Sequence, residues 1–219
     1  MSGTQHLLRI AELLCVRLCH DFAGPLGALI GVLDVAREEH PGSETVTFAE
    51  ETAAELVHRL KLLRAAWGPE GDELGVGRLQ EFAEGLSASR RIRLDLNGLR
   101  PNRVFSPPAG RVLLNLLLLA ADCLPGGGMV AMSEAPSAGI LLTISGPRAA
   151  WPPGLSGWLD DPDSAVAAML ADPRHLQPPL TALLVRVYGC RLSMLMPSSP
   201  ASDAGKLPPL LLSMGPEIH

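Results

Sequence analysis

The chain has few charged residues, and its charge has the wrong sign for several classes of partner. Only 19% of its 219 residues are charged while 47% are hydrophobic, which excludes an intrinsically disordered chain. The net charge of −5 provides no electrostatic attraction for nucleic acid or for an anionic membrane. The length suits one large domain or two small ones, and it is sufficient to bury a hydrophobic core.

Long apolar runs and sorting signals are also scarce. The longest apolar run, near Val112–Ala121, is interrupted by Asn115 and is too short to span a bilayer. The N-terminal residues lack the charged, apolar and small-residue pattern of a signal peptide. We therefore expect a cytoplasmic protein that has neither a membrane nor a nucleic acid as its partner.

Cysteines are too few to predict a disulfide framework, since there are four in the whole chain. Cys15 and Cys19 lie one helical turn apart, and together with the adjacent His20 they suggest a metal site. However, Cys19 and His20 point about 100° apart on a helix, which is unfavourable for joint ligation. No matching second pair of ligands follows, so we expect buried thiols and no metal.

The most distinctive pattern in the chain lies in residues 13–36. Apolar residues recur there at helical spacing and predict a long amphipathic helix from about residue 4 to residue 39. His20 points away from the apolar stripe of this helix, by about 160° to 200°. Pro25 is expected to kink the helix or to leave one carbonyl unpaired. The stripe consists of Leu14, Leu18, Phe22, Pro25, Leu29, Val32 and Ala36.

Three glycines, Gly24, Gly27 and Gly31, lie within about 40° of His20 on the helical wheel. Each is less favourable than Ala in a helix interior by about 0.8–1 kcal/mol, so helix stability does not explain them. Two explanations stay open. This glycine strip either packs closely against another helix of a bundle, or allows the backbone of another protein to approach His20.

A second helix is predicted between the turn at residues 40–43 and Gly68-Pro69. Its apolar residues alternate in steps of three and four, which is a heptad pattern. They are Val46, Ala49, Ala53, Leu56, Leu60, Leu63 and Trp67. Two helices joined by a short turn form an antiparallel hairpin that cannot enclose a core alone. We therefore expect two copies to form a homodimeric four-helix bundle.

Reflection of the two helices about the turn places His20 level with Leu63, beside Lys61 and Arg64. A cation close to the histidine would suit a phosphoryl group. A solvated charge stabilised by the helix dipole is an equally good account of Arg64.

The sequence pattern changes in residues 70–219, where helical patterns alternate with short strands. This alternation predicts an α/β sandwich. The predicted helices are 76–87, 108–123 and 179–188, and the predicted strands are 91–96, 127–133, 140–145, 190–196 and 207–214. Segment 149–174 is rich in Pro, Gly and Asp, so only one short helix is expected there, near 164–170.

The sequence LCHDFAGPLGALIGVLD resembles the phosphoacceptor helix in the dimerisation and histidine-phosphotransfer domain of sensor kinases. There a His is followed directly by an acidic residue and, five positions on, by a Pro; here these are His20, Asp21 and Pro25. The likeness is closer to the ChpT-type histidine phosphotransferases, in which an LCHD box opens a helical hairpin and a degenerate kinase ATPase-like domain follows. It continues through LLRAAWG and VLLNLLLLAADCLPGGG.

The resemblance implies an α+β fold with two domains. Residues 1–69 would form the hairpin for dimerisation and histidine phosphotransfer, and residues 70–219 an α/β sandwich resembling a degenerate Bergerat-type ATPase domain. In a kinase, a second Asn four residues after the position of Asn115 holds magnesium, and that residue is Leu119 here. Ser145-Gly146-Pro147 lacks the Asp that reads adenine, and no glycine-rich phosphate loop follows in 151–177.

The implied function is that of a histidine phosphotransferase in a multistep phosphorelay. His20 would accept a phosphoryl group from the receiver domain of a hybrid kinase and pass it to the aspartates of response regulators. Asp21 would orient the imidazole or take its proton. The alternative is that Asp21 is an ordinary surface carboxylate. Arg17, Arg64 and the glycine strip would contact the partner.

The resemblance further implies that the chain needs no cofactor of its own, because the receiver partner supplies Mg²⁺ and the aspartate. Use of ATP is not expected, and whether the chain counts as an enzyme stays open. Two other functions remain: an active histidine kinase with an unusual ATP site, and a non-catalytic dimer that binds and sequesters a partner. The remaining histidines have no comparable setting; they are His6, His40, His58, His175 and His219.

Overall fold

The computed structural model describes residues 3–36, 44–69, 71–86, 91–172, 175–195 and 207–214. Its helices are α1 (Gly3–Ala36), α2 (Glu44–Trp67), α3 (Val76–Ala83), α4 (Pro107–Asp122), α5 (Leu155–Asp160), α6 (Pro162–Ala171) and α7 (Gln177–Val187). Its strands are β1 (Leu74–Gly75), β2 (Ile92–Gly98), β3 (Val104–Phe105), β4 (Gly128–Glu134), β5 (Ile140–Ser145), β6 (Arg191–Met194) and β7 (Leu210–Ser213). The turn predicted at 40–43 lies outside the described residues.

The two long helices pack against each other, as the apolar patterns predict. The residues of the predicted α1 stripe are half-buried except Pro25, which is exposed. Leu18 and Phe22 of the stripe pack against the main hydrophobic core. Pro25 lies within α1, which is one helix from Gly3 to Ala36. α1 and α2 together are called the hairpin below.

The remaining described residues, 71–214, are called the α/β unit below, and they build a mixed sheet. The strand order is β2-β4-β5-β7-β6, in which only the β2–β4 pair is parallel within the described residues. A parallel pair requires a long crossover, and here α4 lies between the two strands in sequence. β1 and β3 form a separate antiparallel pair.

α4 is the centre of the hydrophobic core. Twelve of its 16 residues are buried, because Leu and Ala occupy every side of the helix instead of one stripe. It contacts α2 on the hairpin and α3, α7, β3 and β4 in the α/β unit. The fold is therefore α+β, with the hairpin resting on the same helix that supports the sheet.

The helices and strands predicted for the α/β unit are confirmed within a few residues, except in segment 149–174. That segment contains two helices, α5 and α6, where the sequence predicted one short helix. Asp161 caps α6 by accepting a hydrogen bond from the Asp163 amide at 3.0 Å, and Pro162 follows at the first helical position. Asp and Pro, which we interpreted as loop residues, thus begin a helix here.

By length and composition, α1 could cross a membrane over Thr4–Ala36, a possibility that contiguous apolar runs alone did not reveal. Such a helix is weak evidence, because a helix of a soluble protein passes the same test. α1 also carries Arg17 and Asp21, whose charges are paired inside the chain.

Candidate functional site

His20 lies where α1 emerges from the α/β unit. Two turns earlier, Leu13 is 2% exposed and packs with Met169 and Leu176 of the α/β unit. By contrast, the side chain of His20 is 86% exposed. The imidazole is therefore accessible to another molecule while the preceding part of α1 is held in place.

Asp21, the residue after His20, is bound by two arginines. Its side chain is 12% exposed, and its Oδ1 accepts a hydrogen bond from Arg17 Nε at 3.0 Å. Its Oδ2 accepts one from Arg59 Nη2 of α2 at 2.7 Å. Arg17 and Asp21 are four residues apart and so lie on the same helix face. Both carboxylate oxygens thus have a charge-assisted partner.

Each of these arginines also reaches the α/β unit. Arg17 Nη2 lies 3.3 Å from both carboxylate oxygens of Asp122, at the end of α4. Arg59 Nη1 donates to the carbonyl oxygen of Gly85 at 3.4 Å. Arg17, Asp21, Arg59 and Asp122 are called the ion-pair cluster below; it contains two positive and two negative charges.

The imidazole is next to this cluster without being hydrogen-bonded to it. His20 Nδ1 is 3.8 Å from Asp21 Oδ1, which is longer than a hydrogen bond. Contacts of catalytic groups are often long in the absence of the reaction partner and shorten when it binds. A carboxylate beside one ring nitrogen favours the tautomer that carries its proton there, which leaves the other nitrogen as a nucleophile.

The glycine strip is open to solvent. A Cβ atom built at Gly24, Gly27 or Gly31 meets nothing within 4 Å. Packing against another helix of the same chain therefore does not explain these glycines. A second copy or another protein could still lie against them, so the partner-binding role of the strip stays a prediction.

The predicted register of the hairpin is wrong by about three residues, because the helix ends at Ala36 and Glu44 place Asp21 opposite Arg59. Lys61 and Arg64 are exposed and line a cleft of about 990 Å³ between α2 and the α/β unit. Sequence reasoning missed Arg59; a correct hairpin register was the signal that could have found it. The partner contacts of Arg17 and Arg64 stay predictions.

Asn115 of α4 is fully buried and all its polar atoms are engaged within the chain. Its Nδ2 donates to the carbonyl oxygens of Ala66 (2.8 Å) and Arg111 (2.9 Å). Its Oδ1 accepts from Trp67 Nε1 (3.2 Å) and Gln177 Nε2 (3.0 Å). The side chain thus joins the end of α2 to α4 and α7.

The cysteines differ from the sequence expectation. Cys15 and Cys19 are exposed, because they lie on a face of α1 that nothing else in the described chain covers. Cys123 is buried, and burial raises the pKa of its thiol to about 12. Among the described residues, no group of three or more His, Cys, Asp or Glu side chains could hold a metal ion.

Two further histidines form ordinary pairs within the chain. His58 Nδ1 lies 3.3 Å from Glu84 Oε2, and His175 Nδ1 lies 2.8 Å from Asp172 Oδ2. His40 and His219 lie outside the described residues.

Comparison with known proteins connects this geometry to a family. The family model "Histidine phosphotransferase C-terminal domain" matches residues 76–198. The protein phosphotransferase ChpT of Brucella abortus is 26% identical over 201 residues, which cover 87% of this chain and 92% of that protein. A solved structure titled as a bacterial phosphotransferase has the same fold, with a TM-score of 0.69 and 22% identity over 97% of this chain and 96% of that one. The chain therefore belongs to the histidine phosphotransferase family and is of the ChpT type.

Proposed function

We propose that this chain carries phosphoryl groups between receiver domains in a multistep phosphorelay. His20 accepts the group from the receiver of a hybrid histidine kinase and passes it to aspartates of response regulators. The observation that carries the proposal is the exposed His20 imidazole next to the Asp21 carboxylate, which two arginines hold in place. Membership of the phosphotransferase family supports the reaction class.

The reaction needs a single nucleophile on this chain. A ring nitrogen of neutral His20 attacks the phosphorus of an aspartyl phosphate; the N–P bond forms as the P–O bond to the donor breaks, and the donor carboxylate leaves. The second transfer reverses these events on an acceptor aspartate. Phosphoryl transfer depends mainly on position and charge stabilisation, which the receiver, with its own Mg²⁺, would share.

The receiver would dock over the glycine strip. Gly24, Gly27 and Gly31 follow His20 on the exposed part of the same helix face, and no side chain separates an incoming backbone from them. On the N-terminal side of His20, Leu13 of α1 packs against Met169 and Leu176 of the α/β unit. A receiver on the strip would therefore present its aspartate directly to the imidazole.

The chain would not obtain its phosphoryl group from ATP. At the positions that resemble the nucleotide box of a kinase, the Asn115 amide has its partners inside the protein, and Leu119 is fully buried. These residues do not fit a nucleotide. We infer that residues 70–219 are a degenerate ATPase-like domain, separate from a phosphotransfer hairpin in residues 1–69.

The hairpin would dimerise through its remaining apolar surface. Large apolar side chains on both helices are between 45% and 61% exposed; they include Val16, Leu26, Ile30, Leu33, Val57 and Leu60. A second hairpin would cover them in a four-helix bundle. This accounts for the apolar face of α1 without a membrane, in keeping with a cytoplasmic protein. Light scattering decides the question, since a monomeric mass would contradict the bundle.

Phosphotransfer from labelled receivers tests the function. Incubation with a panel of phosphorylated receivers should place acid-labile label on the wild-type chain and none on His20→Ala. His175→Ala is the matched control, because that histidine is also exposed and pairs with an aspartate, Asp172. Label taken directly from ATP would favour an active kinase. Receiver binding without any transfer, alike in wild type and His20→Ala, would favour a sequestering dimer.

A further inference from the structure

The two arginines that bind Asp21 are also the links between Asp21 and the α/β unit. Arg17 joins it to the Asp122 carboxylate, and Arg59 joins it to the Gly85 carbonyl. We infer that Arg17 and Arg59 are positioning residues, and that the α/β unit acts through them as a brace that fixes the Asp21 carboxylate beside His20. The inference rests on the proposed role of His20 as phosphoacceptor.

Two bonds to one carboxylate restrict its position more than an ordinary surface aspartate is restricted. Arg17 holds Oδ1 at 3.0 Å and Arg59 holds Oδ2 at 2.7 Å, so that rotation of the Asp21 side chain would break at least one charge-assisted bond. In this position Oδ1 is 3.8 Å from His20 Nδ1. A small rotation of the exposed imidazole is then enough to form the hydrogen bond that selects its tautomer.

The contacts of the two arginines with the α/β unit in turn hold these arginines in place. The Arg17 guanidinium is 13% exposed and lies between two carboxylates, one from the hairpin and one from the end of α4. Without Asp122, Arg17 would keep its bond to Asp21 but would lose its contact with the end of α4. The link from Asp21 through Arg17 to the α/β unit would then be broken, and the link through Arg59 to Gly85 would remain.

Gly85 makes the second link possible. It is buried in the short turn Glu84–Leu86, against α2. A Cβ atom at this position would collide with the His58 carbonyl oxygen and crowd the Leu62 side chain. Only glycine allows the turn to approach α2 closely enough for its carbonyl to accept from Arg59.

Asp122 could affect phosphorylation of His20 through its charge or by holding Arg17 in position. The Asp122→Asn variant distinguishes these two explanations, because they predict opposite changes in rate. The ion-pair cluster is neutral, so Asp122→Asn makes it more positive and, on charge alone, more attractive to a phosphoryl group. If Asp122 acts by holding Arg17, the same substitution slows phosphorylation of His20. The brace predicts the slower rate.

The test uses a phosphoryl donor that needs no docking, potassium phosphoramidate. A His20 ring nitrogen attacks its phosphorus, the N–P bond to His20 forms, and the donor's own P–N bond breaks with release of ammonia. We expect Arg59→Met and Asp122→Asn to slow this labelling on the order of 10-fold or more, as small misplacements do. Arg59→Lys should retain most of the rate, because it can still donate to Asp21.

Matched controls and a second donor distinguish position from docking and from folding. Arg9→Met and Asp160→Asn should label as the wild type does, since Arg9 pairs with the exposed Glu12 and Asp160 is itself exposed. With a phosphorylated receiver, Arg59→Met should lower the maximal single-turnover rate and leave the half-saturating receiver concentration within about 2-fold. Thermal unfolding of Asp122→Asn should stay close to that of the wild type, because Asp122 is partly exposed.

Three results would overturn the brace. They are wild-type labelling rates in both Arg59→Met and Asp122→Asn, a faster rate in Asp122→Asn, and an effect confined to the half-saturating receiver concentration. A wild-type chain that takes no label from any receiver contradicts the proposed phosphorelay instead. The phosphoramidate rates still decide the brace in that case, because they involve no partner protein.

Discussion

Two strongly apolar helices of the molecule, α1 and α4, have opposite environments. α4 has 12 buried residues out of 16, whereas Leu13 is the one buried residue that the structure describes in the 34-residue α1. α4 uses its buried polar side chain, Asn115, inside the protein. α1 exposes His20, and its neighbouring Asp21 is held at the edge of the α/β unit. The proposed chemistry thus lies on the open helix, whereas the closed helix forms the hydrophobic core.

Core truncation should give the largest difference in stability between the two helices. Leu117 of α4 is fully buried, so Leu117→Ala should lower the free energy of unfolding by about 2–5 kcal/mol. Leu8 of α1 is 62% exposed, and Leu8→Ala should change it by less than about 0.5 kcal/mol. Urea unfolding measures both; equal losses would mean that α1 is covered as completely as α4.

Asn115 should show that α4 has a structural and not a nucleotide-binding function. Asn115→Leu leaves the Trp67 indole N–H without its acceptor, and we expect a loss of about 1–3 kcal/mol in the free energy of unfolding. Millimolar Mg-ATP should leave the unfolding temperature of the wild type unchanged. A rise on addition of ATP would indicate binding to the folded chain and would favour the kinase alternative.

Substitutions in the glycine strip should raise stability instead of lowering it, because alanine is more favourable than glycine in a helix. A Cβ atom at Gly27 has open space, so Gly27→Ala should raise the free energy of unfolding by about 0.8–1 kcal/mol while weakening receiver docking. Gly157→Ala in α5 is the control, since its Cβ also meets nothing, and it should leave transfer unchanged. Destabilisation by Gly27→Ala would instead show that the strip packs against a second copy.

The smallest expected difference between the surroundings of α1 and α4 is in the reactivity of their cysteine thiols. Burial raises the pKa of Cys123 to about 12 from an ordinary value of 9.0, so its reactive thiolate is roughly a thousandfold scarcer at pH 8. Mass spectrometry after brief treatment with a thiol reagent should find Cys123 unmodified in the folded chain and modified in denaturant. Rapid modification of folded Cys123 would contradict the closed packing around the end of α4.

The sequence was sufficient to predict features that depend on local pattern. Helical periodicity defined α1 and α2, and the apolar run around Asn115 defined α4. Features that depend on how distant segments meet were not predictable. Arg59 reaches Asp21 only because of the hairpin register, which the helix ends determine.

The same limit explains the other misses. The exposure of Cys15 and Cys19 follows from which face of α1 meets the rest of the chain, and periodicity does not decide between two apolar faces. α5 was missed because its segment is rich in Pro, Gly and Asp, which favour turns. α6 begins two residues before the short helix predicted at 164–170, because Asp and Pro also favour the first residues of helices. The contacts of Asp122 and Gly85 with the hairpin depend on packing between segments far apart in the sequence.

Phosphotransfer from a phosphorylated receiver tests the central claim most directly, with wild type, His20→Ala and the His175→Ala control assayed side by side. The account predicts acid-labile label on the wild type and on His175→Ala, and none on His20→Ala. Label that persists on His20→Ala would contradict the assignment of His20 as the phosphoacceptor.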